Sequence, residues 1–526
     1  MGPSTSPCRC SSGRARRQRR ARPGRRSRGG VMGAAARAGR APLSEVLPRF
    51  LASDDDRRLT ALERLRGRMR ELGDRHIRPR ALEIDRRAET DAGYFDWEAV
   101  QAGLRYGVLG LTVPRSSGGE GALALEASLA IEELSAACPG VASVFGAHAL
   151  GIAPLLVLGG PAHWEGALRA TADAEREGRP LLMALAITEP DAGTDVQDPE
   201  LMRRARLSSS ARRIRGGYRL SGTKRFISNG SVARWISAFM PTDPRQPAET
   251  ATGFLVDTES DGFAVARVEH KLGQRACPAA ELHFDDVFVP EELVIGREGD
   301  GLAATMMTLA LSRGPVGAIA TGIARGAYER LSAWLTTAVE AEGLLERQEV
   351  RLALAAIVEE IRLARQAYVD AAIELELAGV GRALAHPALQ AAGLVPRTIR
   401  RRPRARRWAS SARARELTAS LVRSSTSARE ATRSLALASL AKARGADVAM
   451  RVTGLALEIA GLGAGPVRAE LEKLWRDAKL THIYEGTNQL NRLQVYRGLC
   501  LGETMPAVLP SARRRRPPRF ANGAIP

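Results

Sequence analysis

Three short segments combine the residue types that acid–base and cofactor chemistry require. Ile483-Tyr484-Glu485-Gly486-Thr487-Asn488-Gln489-Leu490 sets a carboxylate beside a glycine and a hydroxyl. Ala186-Ile187-Thr188-Glu189-Pro190-Asp191-Ala192-Gly193-Thr194-Asp195 joins two hydroxyls to a glycine, and Gly222-Thr223-Lys224-Arg225-Phe226-Ile227-Ser228-Asn229-Gly230 adds an aromatic ring. A carboxylate drawn out of water gains basicity because burial penalises its charge. The same carboxylate on a solvated loop does no chemistry. Thr-Glu-Pro alone is an ordinary turn. Taken one at a time, these segments leave both readings open.

Other chemistries have less behind them. Cys8, Cys10, Cys138, Cys277 and Cys500 form no CxxC pair, which argues against a disulfide framework and for a reduced, cytoplasmic setting, or a mitochondrial matrix in a eukaryotic source. The seven His show no HExxH spacing, so no metal site is expected. The longest apolar runs, such as Val316 to Ala324, fall short of the ~18 to 20 residues that cross a bilayer, and no membrane span is expected.

The net charge of +20 suggests a nucleic-acid partner until it is located. Residues 1–50 carry 13 Arg against one Glu, 391–435 carry 12 Arg against two Glu, and 511–526 carry five Arg. These stretches hold more positive charge than the whole chain, so the rest is mildly acidic. Only five Lys (224, 271, 442, 473 and 479) accompany 73 Arg, a bias more easily explained by GC-rich coding sequence than by selection for phosphate contacts.

Five regions must position the candidate residues. Residues 1–43 are Arg, Gly, Ser and Pro, too poor in apolar side chains to offset ordering entropy, and read as a disordered basic extension. They lack the apolar face of a mitochondrial presequence and the apolar core of a secretory signal. A misassigned start upstream of Met32 accounts for them equally. Residues 44–183 read as a helical domain, with Leu59, Leu62, Met69 and Leu72 at helical spacing. Residues 184–297 switch to period two, with strands at Gly253 to Asp257, Phe263 to Val268 and Leu282 to Val289, and predict a small antiparallel sheet or barrel. Residues 298–505 return to helices, marked by Leu354, Ile357, Ile361, Ala364 and Tyr368 and by Val448, Val452, Leu455 and Ile459, which suggests a bundle. Inside it, about 383–435 read as an Arg-rich insert forming a long loop or poorly ordered excursion, and 506–526 as a basic tail.

That order of domains, with the three segments at its junctions, resembles the acyl-CoA dehydrogenases. The segments from Ala186 and Gly222 resemble the family's two flavin-contacting signatures. Arg476-Asp477-Ala478-Lys479 with Ile483 to Leu490 resembles its C-terminal signature. Supporting matches are Pro79 and Ala81 with Asp85, Glu132-Glu133, Lys271-Leu272-Gly273, Glu281-Leu282-His283-Phe284, Val289-Pro290 and Arg313. The similarity covers about residues 45–505, the insert excepted. It implies a mainly α fold: an N-terminal helical domain, a small middle β-barrel and a C-terminal four-helix bundle.

The resemblance also implies FAD. Ile187 and Thr188 would hold the pyrimidine and N5 region, Phe226 would lie against the ring, and Ser228 would bond near N5. Gly193 and Thr194 would approach phosphate, and Thr487 and Gln489 would contact the cofactor. Glu485 would take the α-proton of an acyl-CoA while the β-hydrogen leaves as hydride to flavin N5, giving 2-enoyl-CoA. A backbone N–H at this Glu would help hold the enolate charge. Thr194, Arg313, Tyr484 and Gly486 would meet substrate. Some relatives carry their base immediately before the Arg matching Arg313. Here that residue is Ser312, a poor base without an activating partner. Electrons would pass to an electron-transferring flavoprotein, and the chain would form a homo-oligomer, a dimer or tetramer.

Two family features are replaced. An Arg-x-x-Phe-Gly stretch, whose Arg reaches the FAD of a neighbouring subunit, is here Thr336 to Leu345, and Glu458 stands where a neutral amide meets cofactor. Competing readings are an oxygen-using relative of the acyl-CoA oxidase or nitroalkane oxidase type, and a silent flavin scaffold with nucleic-acid-binding Arg-rich arms. The arms have almost no interleaved aromatic beyond Trp408.

Overall fold

The computed structural model describes residues 55–378, 380–384, 397–400, 402–463 and 467–505. The basic extension 1–43 and tail 506–526 lie outside the described residues. Helices α1 (Asp55–Leu72), α2 (Ala124–Ala137) and α3 (Pro139–Val157) dominate the N-terminal part. Eight strands follow: β1 (Met183–Ala186), β2 (Ser210–Ile214), β3 (Gly217–Ser228), β4 (Trp235–Pro241), β5 (Ala251–Asp257), β6 (Phe263–Val268), β7 (Ala279–Pro290) and β8 (Val294–Ile295). The C-terminal part holds α4 (Gly301–Thr337), α5 (Gln348–Ala378), α6 (Ala412–Ser425), α7 (Ala428–Ala460), α8 (Val467–Leu480) and α9 (Asn488–Val495).

The β region is two four-stranded sheets, ordered β1-β4-β5-β8 and β2-β3-β7-β6, sharing a core that includes Leu220, Ile236, Phe254 and Leu282. An all-antiparallel arrangement was the expectation, yet β1 and β4 run parallel, Met183 opposite Trp235 and Ala186 opposite Ala238. The β2–β3 hairpin lies between them in the chain and serves as the long crossover that a parallel pair needs. The register of β3 against β7 slips between Lys224 and Ile227, and Phe226 falls in that slip.

Long helices close over the sheets. α4 is buried along most of its length and packs on α2, α5 and α7. Ile357, Ile361, Ala364 and Tyr368 face the core from α5, as do Val448, Val452 and Ile459 from α7. By length and composition α3 and α4 could each cross a bilayer, contrary to the expectation from uninterrupted runs, because Gly, Ala and Thr interrupt hydropathy less than charges do. Their most apolar windows are 72% and 83% buried inside the protein, as core helices are.

The Arg-rich stretch corrects a second expectation. Its described part is largely helical: α6 buries Ala414, Thr418, Ala419 and Val422 on one face, and residues 428–435 open α7 behind a Ser427–Glu430 capping box. Several of its arginines are used inside the fold, Arg415 on Glu291 at 3.1 Å and Arg433 on Glu374 at 2.8 Å.

Candidate active site

Between α8 and α9 the chain makes a tight turn, with Ile483 N–H donating to Leu480 O at 2.9 Å. Two successive residues are left-handed, Glu485 at φ 57° and Gly486 at φ 82°. Such a conformation at a residue with a Cβ costs about 1–3 kcal/mol and persists only where its surroundings impose it. Here they do. Arg313 Nε donates to Glu485 O at 2.9 Å, Lys442 Nζ to Gly486 O at 2.6 Å, and Asn491 Nδ2 to the same oxygen at 2.9 Å. Gly486 is required by packing as well, since a Cβ would press on Gln197 Oε1 at 2.8 Å and Arg313 Nη2 at 3.0 Å.

The turn pushes the Glu485 side chain into a cavity of about 850 Å3 between α2, α3, α4 and the β sheets. Burial raises its pKa above the usual carboxylate range. A hydrogen bond from Ser312 Oγ to Oε2 at 2.6 Å and the positive charges of Arg313 and Lys442 offset this only in part. Lys442 is itself pushed down to about 7, first by burial and then by Arg313. Among the described residues, the backbone N–H of Glu485 has no hydrogen-bond partner.

Opposite, the β3 slip throws Phe226 outward at φ 59°, leaving it 57% exposed on the cavity wall with the Arg225 guanidinium 4.7 Å from its ring centre. Ile187, Thr188, Gly193, Thr194 and Ser228 line the same wall. A Cβ at Gly193 would meet no protein atom within 4 Å, so bare backbone opens there. Beneath, Lys224 and Glu189 pair at 2.8 Å, each side chain 1% exposed, and bind β3 to the loop after β1.

Three family models match: the acyl-CoA dehydrogenase N-terminal domain over residues 60–175, the middle domain over 184–287 and the C-terminal domain over 397–500. The chain belongs to the acyl-CoA dehydrogenase family. A cyclohex-1-ene-1-carbonyl-CoA dehydrogenase of Geobacter metallireducens is 30% identical over 434 residues, spanning 82% of this chain and 96% of that one. Butyryl-CoA dehydrogenase from Megasphaera elsdenii superposes with TM-score 0.65 at 27% identity, over 82% and 96% of the two chains. A chain from the structural study of the electron transferring flavoprotein of Acidaminococcus fermentans and flavin-based electron bifurcation gives TM-score 0.66 at 26% identity, over 83% and 97%.

Acyl-CoA dehydrogenases are FAD-dependent oxidoreductases. The wall fits such a cofactor: an outward aromatic face at Phe226, hydroxyls at Thr194 and Ser228, and open backbone at Gly193. Thr188 Oγ1 donates to Arg225 O, which fixes the loop against β3. Tyr484 and Thr487 also line the cavity, Thr487 doubling as the cap of α9 through its bond from Leu490 N–H at 3.4 Å.

Three expected site residues stand elsewhere. Gln489 is exposed on the first turn of α9, off the cavity. Arg313 is fully buried and spends its guanidinium on Glu485 O, Ser439, Gln494 and Gln197, so it braces the turn instead of meeting substrate. Gly486 lies beside it, behind the cavity wall. Glu458 points to solvent from the end of α7, where its charge is unopposed by burial.

Two of the supporting matches, Asp85 and Gly273, meet at α8. Asp85 is buried and accepts from Arg476 Nη2 at 2.6 Å and Arg275 Nη1 at 3.4 Å. A Cβ at Gly273 would lie 2.4 Å from Arg476 O, so only glycine lets that loop meet α8. Sequence reasoning missed Ser312 as a partner of Glu485, and Lys442 behind it. The signal for Lys442 was its rarity. Of the five lysines, Lys224, Lys442 and Lys473 are buried, whereas Lys271 and Lys479 line the cavity.

Proposed function

We propose that the protein oxidises a saturated acyl-CoA thioester to its 2-enoyl-CoA, with Glu485 as the base. The observation that carries this reading is a raised-pKa carboxylate set into an apolar cavity, facing the wall that fits a flavin. Glu485 would take the α-hydrogen as a proton. The electron pair left at Cα forms the Cα=Cβ bond as the β-hydrogen departs with its own pair. Bound at the Phe226 wall, FAD supplies the acceptor for that hydride at N5. The unpartnered backbone N–H of Glu485 suits the thioester oxygen as enolate charge develops on it. Tyr484 and Thr194 would flank the thioester.

The acyl chain would run past Gly146, Ala127, Ala130 and Leu134, an apolar stretch of the cavity lining, so an apolar acyl group is favoured. An electron-transferring flavoprotein would receive the electrons, a reading supported by the similarity to the Acidaminococcus chain. Exposed Leu493, Tyr496 and Leu501 near the C-terminus support a homo-oligomer.

The test is to purify the flavin-loaded protein and mix it anaerobically with saturated acyl-CoAs of graded length. Bleaching of the flavin band is expected for at least one length. A series in which none bleaches it overturns the reading. Rapid peroxide release on admitting air would instead identify an oxidase.

A further inference from the structure

Glu485 is gripped mostly through its backbone. Arg313 and Lys442, the two buried cations beside it, donate to the carbonyls of Glu485 and Gly486 and not to the carboxylate. Asp198 acts on Arg313 from the turn after β1, and Asp447 and Arg492 act on Lys442. Tyr484, the neighbour on the turn itself, holds Gln274 Nε2 at 3.3 Å. Among the described residues, only Ser312 reaches the carboxylate with a hydrogen bond, to Oε2 at 2.6 Å, and none reaches Oε1. Ser312 and Glu485 both line the cavity.

We infer that Ser312 is a positioning residue for the base: its hydroxyl pins Oε2, turns Oε1 toward the substrate α-carbon, and favours the ionised carboxylate. This rests on Glu485 being the base. A serine suits the task for two reasons. A hydroxyl both donates and accepts, so it can stay bonded when the carboxyl gains a proton. As a neutral donor it steadies the anion less than a cation would, so it orients the base without removing its basicity. Without it the terminal torsion of Glu485 is broad, and either oxygen, at many angles, faces the cavity.

The experiment compares Ser312→Ala and Ser312→Thr with the parent holoenzyme, by stopped-flow flavin reduction with the saturated acyl-CoA that bleaches the parent fastest, from pH 5.5 to 9. Alanine is a good helix former, so α4 should hold. Losing a donor to the charged form raises the pKa of the base. For Ser312→Ala the acid limb of the rate should therefore move up by about one pH unit, with the plateau about tenfold lower. Ser312→Thr should restore both. An acid limb and plateau unchanged in Ser312→Ala overturn the inference, as does a loss that Ser312→Thr fails to rescue. Glu485→Gln run alongside separates the two claims: fast reduction by that variant overturns Glu485 as base, whereas its inactivity with an unshifted Ser312→Ala overturns the role of Ser312 alone.

Discussion

Glu132 is buried and Glu485 half-buried on the cavity wall, and their surroundings treat the two glutamates in opposite ways. Glu132, on α2, accepts from Arg325 Nε at 2.9 Å, Arg365 Nε at 3.0 Å and the Tyr368 hydroxyl. Its neighbour Glu133 takes Arg66 at 2.8 Å and Arg325 at 2.7 Å. Burial works to raise the pKa of Glu132, but bonds from Arg365 and the charges of Arg365 and Arg325 more than offset it, and the carboxylate stays ionised. At Glu485 burial wins. One neutral hydroxyl engages the carboxylate, and the cations nearby are occupied with backbone carbonyls and neutral side chains. The contrast shows that burial alone does not make a base: the fold makes one by withholding partners.

The largest expected effect breaks the contrast at its reactive end. Glu485→Gln should keep FAD, read by its visible spectrum, and lower flavin reduction by acyl-CoA about a thousandfold or more in stopped flow. Because the folded pKa is raised, the protonated form is favoured by folding, and that stability is lost as pH rises through the folded value. Glutamine mimics the neutral form, so the melting temperature at pH 7 should stay level or rise.

At the other end, Glu132→Gln leaves Arg325 and Arg365 facing an uncharged amide. A cost of about 3–5 kcal/mol is expected, as for other broken buried pairs, seen as a large drop in melting temperature. The pH dependence runs opposite to that of Glu485. A depressed pKa contributes stability above the ordinary carboxylate value, which is lost as pH falls through the folded one. Acid titration of parent and variant should therefore converge.

Smaller effects sharpen the picture along the cavity. In α3, a Cβ at Gly146 would meet only Ile319 Cδ1, at a comfortable 3.6 Å, so Gly146→Leu should fold and fill the acyl end. The ratio of kcat/KM for short over long acyl-CoAs should rise by about 10- to 100-fold, measured across the graded series. Thr487→Ala removes the α9 cap and should cost about 1 kcal/mol in denaturant unfolding.

The three segments that named the family were legible because each carries its function within ten residues of chain. Phe263 to Val268 was legible in the same way, as a short β-rich run bounded by turns, although its burial does not alternate. Contacts across the fold were not. Ser312 and Glu485 lie 173 residues apart, and nothing local to Ser312 announces a carboxylate opposite it. Arg313 was recognised but placed on the wrong side of the turn, since a pattern fixes a residue's neighbourhood and not the direction of its side chain. The helix α6 was hidden by composition. Its buried Ala414, Thr418, Ala419 and Val422 follow helical spacing, but Arg413, Arg415 and Arg423 around them give the stretch the composition of a solvated run. The parallel β1–β4 pair was illegible because strand order depends on the crossover and not on the alternation within either strand.

The scarcity of lysine has a practical side. With Lys224, Lys442 and Lys473 enclosed, and Lys271 half-buried with its Nζ on Gln274 O at 2.9 Å, the exposed primary amine among the described lysines is Lys479, at the cavity wall. An acylating or fluorescent amine reagent would thus mark the cavity wall at Lys479 on an otherwise silent arginine surface, and peptide mapping before and after loading with flavin or thioester would report occupancy at one known point.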